Sequence, residues 1–460
     1  MRSRLLAVGL VLATLSCTAD REPVVRVDSG LLRGTETAEY QRFRGIPFAA
    51  PPVGDLRWRS PRPPAPWDGV RDATRPGNRC AQPDGGSEDC LYLDVTAPTT
   101  PGRKPVVVWM HGGGFVEEAG SDYDTRELAV RGDVVVVSPN YRLGIFGLLA
   151  YPGLAGSGGF TLEDQQASLR WVRRNISQFG GDPGNVTFVG ESAGGKSACA
   201  HLASPAAAGL FHKVVLQSAP CTGTVPAGGM FPGLPAFPQW MPVASRAPDG
   251  AGVAAALGCS DLRCLRGLPT RSLLEHHGAF MSPNYGNAVL PVDPDAAISA
   301  GRIHRMPVIS GITRHEMVSL VMPPTAPEYD TLLTTAFGTD AGRVAARYPD
   351  RAWAAVTTDR VFACPAVSRD AAMARRMPVW SYEFAEPVAA HAADLPYLFP
   401  EYGSVSSLSA RMIGHWATFA HTGRPGWPDY PATAVLASGA PGVVDLGAGH
   451  QCDFWATVGS

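Results

Sequence analysis

Lysine is nearly missing from this chain. Of 39 basic residues in 460, only Lys104, Lys196 and Lys213 are lysines, and charged residues of every kind make up 17%. Against 41 acidic residues the formal net charge is −2, so there is no basic footprint and no nucleic-acid partner is expected. The apolar run Leu5 to Ser16 is too short to cross a bilayer, and no transmembrane segment is expected. His276, His277, His304 and His315 show neither H-E-x-x-H nor paired-cysteine spacing, so neither a metal nor another cofactor is expected. No internal repeat and no long linker appear, which points to one domain over residues 22–460. What remains, at 45% hydrophobic residues, is a chain long enough to bury a large core.

The N-terminus reads as a signal peptide over residues 1–19. Met1-Arg-Ser-Arg4 is a short positive region, Leu5 to Ser16 the apolar stretch, and Cys17-Thr-Ala19 a small-residue cleavage site before Asp20. Ser16-Cys17 also reads as a lipoprotein junction, with Cys17 as the lipid anchor, although Thr14 stands where a leucine is expected. Either reading puts the mature chain outside the cytoplasm. Setting Cys17 aside leaves an even set of cysteines at 80, 90, 199, 221, 259, 264, 364 and 452. In an exported protein such a set suggests disulfides, and spacing alone leaves their connectivity open.

Apolar β-rich runs alternate with helical patterns along most of the chain. Pro105-Val-Val-Val-Trp-Met110 and Asp133-Val-Val-Val-Val-Ser138 are continuous apolar runs, the mark of strands buried on both faces. A helix is expected over Leu162 to Phe179, closed by Gly180-Gly181, with Asp164 near its start and Arg173-Arg174 near its end. Further strands are expected at Val186 to Val189, Lys213 to Ser218, Pro307 to Ser310 and Val379 to Phe384. Val24 to Val27 and Gly30 to Arg33 read as an edge hairpin, and Thr222 to Arg246 as a surface excursion walling one side of a site. This alternation predicts a mainly parallel sheet with helices on both faces.

The densest chemistry lies in Gly190-Glu-Ser-Ala-Gly194, a G-x-S-x-G pattern set between a strand and the helix pattern Ser197 to Ala203. Glycines let a strand turn sharply into a helix, which lifts the Ser192 hydroxyl above the sheet with the Ala193 amide beside it. The same letters satisfy a rival pattern. Gly190 to Ser197 matches G-x-x-x-x-G-K-[ST], a phosphate-cradling loop whose lysine is Lys196. Against an NTPase, no apolar strand downstream of Lys196 ends in an aspartate suited to Mg²⁺. A glycine-rich turn in a non-catalytic binding module is the third reading.

A serine nucleophile needs a base, an acid to orient it, and donors for an oxyanion. His111-Gly112-Gly113-Gly114 ends a strand upstream and offers bare amides. Glu316 lies just past the strand ending in Ser310-Gly-Ile-Thr313, with Asp293 and Asp295 as rivals. His391 follows the last strand, whereas His415 and His421 fall on a helical stretch and read as structural.

By these residues the chain resembles the type-B carboxylesterases, the α/β-hydrolase family that includes the cholinesterases. The similarity runs from about Arg26 to Trp455, through Arg44-Gly-Ile-Pro-Phe-Ala-Ala50, Ser87-Glu-Asp-Cys-Leu-Tyr-Leu93, His111 to Phe115, Asn140-Tyr-Arg-Leu-Gly144, Phe179-Gly-Gly-Asp-Pro183 and Gly190 to Gly194. The resemblance implies an α/β-hydrolase fold and cleavage of small-molecule esters. It implies Ser192 as nucleophile, His391 as base, Glu316 as acid, and the amides of Gly113, Gly114 and Ala193 as oxyanion hole. It also implies disulfides Cys80–Cys90, Cys259–Cys264 and Cys364–Cys452, leaving Cys199 and Cys221 to form a fourth. Two departures stand out. His315 and Met317 flank Glu316 where the family usually has aspartate and glycine, and the Cys80–Cys90 segment lacks both a choline-binding tryptophan and a lipase flap.

Overall fold

In the computed structural model, which describes residues 22–230, 233–321, 323–350 and 352–459, the apolar runs are central strands of one eleven-stranded sheet. Its strands are β1 (Thr35–Glu36), β2 (Tyr40–Pro47), β3 (Tyr92–Pro98), β4 (Lys104–Met110), β5 (Val135–Pro139), β6 (Gly181–Glu191), β7 (Lys213–Gln217), β8 (Val308–Thr313), β9 (Val379–Phe384), β10 (Thr433–Leu436) and β11 (Gly442–Val444). Their spatial order is β11-β10-β9-β8-β7-β6-β4-β5-β3-β2-β1. The seven strands from β10 to β5 are all parallel, and antiparallel strands close both ends. The fold is an α/β-hydrolase fold.

Side chains alternate between the two faces of a strand, and β4 shows the consequence. Val106, Val108 and Met110 join one apolar cluster, while Val107 and Trp109 join another. Helix α1 (Arg126–Gly132) packs on the second face, helices α2 (Phe160–Asn175) and α3 (Ala193–Ala203) on the first, and α4 (Cys364–Ala374) adds Ala372 and Met373 to the first. Helix α5 (Ser407–Thr422) lays Leu408, Met412, Trp416 and Phe419 on the second. It opens on the Ser406 side chain, which accepts from the Ser409 amide, and stops at Gly423 in the left-handed region. A third cluster, including Trp353, Phe337 and Trp455, gathers the C-terminal tail beside the end of β8.

Several expectations are redrawn. The hairpin of Val24–Val27 and Gly30–Arg33 forms, but in a separate small sheet with Val70–Asp72. The helix after the glycine motif begins at Ala193, not Ser197, and the strand before it spans eleven residues rather than four. Asp164 does not serve the helix dipole from the surface. It is fully buried and takes Arg142 in a two-pronged pair at 2.7 Å. The excursion at 222–246 carries paired two-residue strands and the start of a helix, Val243–Ala256. The signal-peptide segment and Cys17 lie outside the described residues. Among the described residues no helix is long and apolar enough to cross a membrane.

All eight remaining cysteines are paired: Cys80–Cys90, Cys199–Cys221, Cys259–Cys264 and Cys364–Cys452. The last closes a separation of 88 residues and holds the tail against the helix that begins at Cys364.

Candidate active site

Strand β6 ends at Glu191 and helix α3 starts at Ala193, so Ser192 alone makes the turn, at φ 51° and ψ −116°. A non-glycine residue there is strained, and the strain is held by close packing on every side. A Cβ on Gly190 would sit 2.4 Å from the Gly194 carbonyl, and one on Gly194 would sit 2.0 Å from the Met110 carbonyl oxygen. The glycines of the motif are therefore demanded by backbone contact. Such an elbow fits a serine nucleophile, and the phosphate-loop reading is not favoured.

The glycine turn after β4 lies against this elbow. A Cβ on Gly112 would be 3.3 Å from the Ser192 Cβ and 2.5 Å from Glu191 Oε2. Gly113 (φ 72°) and Gly114 (φ 60°) open a short 3-10 turn, so their amides have no partner inside it. Ala193, first in α3, is in the same position. Tyr141 secures the turn by donating its hydroxyl to the His111 carbonyl at 2.5 Å while its ring stacks on the His111 imidazole at 4.2 Å. Burial pushes His111 down to about 3, so it stays neutral and is not a base.

Glu316 and His391 come together from loops after β8 and β9. Backbone pairing clamps the loops: the His315 amide donates to the Ala389 carbonyl, and the His391 amide to the Glu316 carbonyl at 3.2 Å. Glu316 is fully buried; its Oε1 accepts from the Thr313 amide at 2.9 Å and its Oε2 lies 2.5 Å from His391 Nδ1. His391 Nε2 faces the elbow, 3.2 Å from Glu191 Oε1. Burial opposes charge on this ring, but Glu191 and Glu316 outweigh it and raise His391 to about 9. Burial likewise raises the Glu191 carboxyl to about 8, with His391 pulling the other way.

The rival acids have other work. Asp293 caps a short helix through the Asp295 amide, and Asp295 accepts from the Gly223 amide at 2.8 Å. His415 contacts the Pro425 carbonyl and His421 the Gly132 carbonyl, both as structural histidines. Sequence reasoning missed two neighbours of the pair. Glu191 stood inside the motif without a role. Asp394, three residues after His391, is fully buried and accepts from Gln217 Nε2 at 2.9 Å and the Tyr382 hydroxyl at 3.0 Å. Burial raises its carboxyl, with Gln217 and Tyr382 acting the other way. The signal was in the sequence only as polar letters in buried strands, Gln217 and Tyr382 among them.

A half-buried serine on a strand–helix elbow, a glycine turn beside it, and an acid–histidine pair on later loops define a serine-type α/β-hydrolase site. A profile of the Carboxylesterase family matches residues 21–333. The chain is 36% identical to para-nitrobenzyl esterase of Bacillus subtilis (strain 168), over 88% of this chain and 92% of that one. It is 33% identical to fumonisin B1 esterase of Sphingopyxis macrogoltabida, over 89% and 83% of the two chains. Among solved structures, a PNB esterase superposes with a TM-score of 0.82 at 33% identity, covering 94% of this chain and 99% of that one. The chain belongs to the carboxylesterase family, and its activity is that of a carboxylic ester hydrolase.

Proposed function

We propose that this chain is an exported serine esterase that cleaves dissolved esters with short acyl or aryl groups through an acyl-enzyme on Ser192. His391 takes the Ser192 proton as the hydroxyl attacks the ester carbonyl, then returns it to the leaving alcohol. Glu316 holds the imidazole by Nδ1 and stabilises the imidazolium. The amides of Gly113, Gly114 and Ala193 receive the oxyanion, and loss of one such donor typically costs about 10²–10³ in rate. Water then attacks the acyl-enzyme with His391 again as base. The observation that carries this reading is the 2.5 Å His391–Glu316 pair, whose other nitrogen faces the serine elbow.

The substrate range rests on the short Cys80–Cys90 segment. It offers no hydrophobic face for a lid, and it is pinned: the Gln82 side chain accepts from the Glu118 amide at 2.8 Å and donates to the Cys80 carbonyl at 2.9 Å. Of its three carboxylates Glu88 is buried in an ion pair with Arg57 at 2.5 Å, so Asp84 and Asp89 alone give the segment surface charge. The name of the para-nitrobenzyl relative supports aryl esters, and four disulfides support export. A fluorophosphonate probe mapped by mass spectrometry should label Ser192. Tributyrin taken through its solubility limit should give smooth saturation; a sharp rise once droplets form would overturn the reading of dissolved substrates.

A further inference from the structure

Lys196 is the cationic member of the glycine motif, and ester chemistry leaves it unused. Its amide donates to the Ser192 carbonyl at 2.8 Å, so its backbone lies one helical turn from the serine. One turn is about 5.4 Å of rise, and helical side chains lean toward the N-terminal end, which Ser192 occupies. The residue is 8% exposed. Its ammonium lies over the Trp240 ring, 4.9 Å from the centroid, and 3.4 Å from Gln239 Oε1, both on the excursion that covers this side of the helix.

What this ammonium lacks is an anion. Lys104 pairs with Asp133 at 2.7 Å and Lys213 meets the Asn185 side-chain oxygen. Among the described residues no carboxylate pairs with Lys196, and burial alone acts on it, lowering it to about 7. An aromatic face and one long contact to an amide oxygen offset only part of the cost of burying a charge. The N-terminus of the eleven-residue helix adds positive potential on the same side.

We propose that Lys196 is a specificity-determining residue that receives a carboxylate on the acyl part of the substrate, making hemiesters of short dicarboxylic acids the preferred substrates. This rests on Ser192 being the nucleophile. With the ester carbonyl at Ser192, a few methylenes carry the distal carboxylate along the turn to the ammonium. The pair forms in a water-poor site, where a charge-assisted bond is strong. The reaction is unchanged: water splits the acyl–oxygen bond, the alcohol leaves with a proton, and the acyl part leaves as a dicarboxylate.

The test compares monoethyl glutarate with ethyl pentanoate in a pH-stat, using the mature chain with its disulfides. The kcat/KM ratio should favour the hemiester in the wild type. It should fall at least about tenfold in Lys196→Met, mainly through KM, and Lys196→Arg should restore most of it. Methionine keeps an unbranched apolar stem in the core, and circular dichroism checks that the variant is folded. A wild-type ratio at or below one, or a ratio unchanged in folded Lys196→Met, overturns the proposal. Fluorophosphonate labelling of Ser192 separates the two failures: labelling with an unchanged ratio sinks only the lysine's role, and absence of labelling sinks the serine reading as well.

Discussion

His391 and His450 each lie between two carboxylates. His391 has Glu316 at 2.5 Å on Nδ1 and Glu191 at 3.2 Å on Nε2; His450 has Asp359 at 2.6 Å and Glu383 at 3.1 Å on the same two nitrogens. His450 is buried and His391 nearly so, and in both the carboxylates outweigh burial and raise the imidazole to about 9. The difference is in the second contact. His450 makes a directed hydrogen bond on each nitrogen, and Glu383 is tied in turn to Arg314 at 2.7 Å. Among the described residues Glu191 Oε1 makes no hydrogen bond despite its closeness, so His391 Nε2 is not committed to it. The proposed proton-transferring histidine keeps one nitrogen uncommitted, while the histidine that fastens the tail uses both.

Breaking each ring separates the two roles. Under the proposed mechanism His391→Ala should lower kcat for an aryl acetate by about 10⁶-fold with little change in thermal midpoint. Glu316→Gln should lower it by about 10⁴-fold, since an amide holds the imidazole in the wrong tautomer. His450→Ala should do the reverse: it leaves Asp359 with the Tyr348 hydroxyl and Glu383 with Arg314 but removes the charge between them, costing up to about 3–5 kcal/mol of stability, while the folded enzyme turns over nearly as before. Equal losses of kcat in the two alanine variants would show that the contrast between them is false.

The clasp around His450 has a covalent counterpart. Cys364–Cys452 ties the same tail, and Trp455 Nε1 donates to the Tyr348 hydroxyl at 2.7 Å, which donates to Asp359 at 2.6 Å. Chain-entropy estimates for a loop of this length give about 4–5 kcal/mol. Cys364→Ser with Cys452→Ser should therefore lower the chemical midpoint by an amount comparable to His450→Ala. Combining all three changes should cost less than the sum, because both devices hold one segment. Strict additivity would mean that they act on separate parts of the fold.

The two histidines also mark how far the sequence could be read. The elbow and the glycine turn are local: Gly190, Ser192, Gly194 and Gly112 to Gly114 meet across strands whose apolar runs announce them. The central parallel strands, Glu316 and His391 were legible for the same reason, each lying just past a recognisable strand. The clasp was not. Asp359, Glu383 and His450 are scattered over a stretch where no period or spacing links them, and only packing of the third apolar cluster brings them together. Strands β10 and β11, at one end of the sheet, escaped because four and three residues are too few to show a pattern. Asp394 was hidden in the same way, its partners Gln217 and Tyr382 being polar groups inside strands that read as apolar.

The smallest expected effect sets the two histidines in opposition through pH. Under the proposed mechanism, activity on the acid side requires His391 to lose its proton, so kcat/KM should rise with pH through the ionisation of the free enzyme. Glu191 and Glu316 both raise that ionisation, and Glu191→Gln removes one of them. The acid limb of kcat/KM should then move to lower pH, with the limb's midpoint in a full pH profile as the readout. A shift to higher pH would mean that the Glu191 carboxylate is not what holds the proton on His391. For stability the sign is opposite. An unfolded histidine titrates near 6.5, and folded His450 is raised to about 9. Its contribution is therefore complete below about 6.5 and is lost as pH rises through 9. The thermal midpoint of the wild type should fall across that window, and His450→Ala should flatten the fall. The carboxylate-flanked ring that favours activity at higher pH thus has a twin that favours folding at lower pH, and a variant lacking Glu191 should work further inside the range where the clasp is closed.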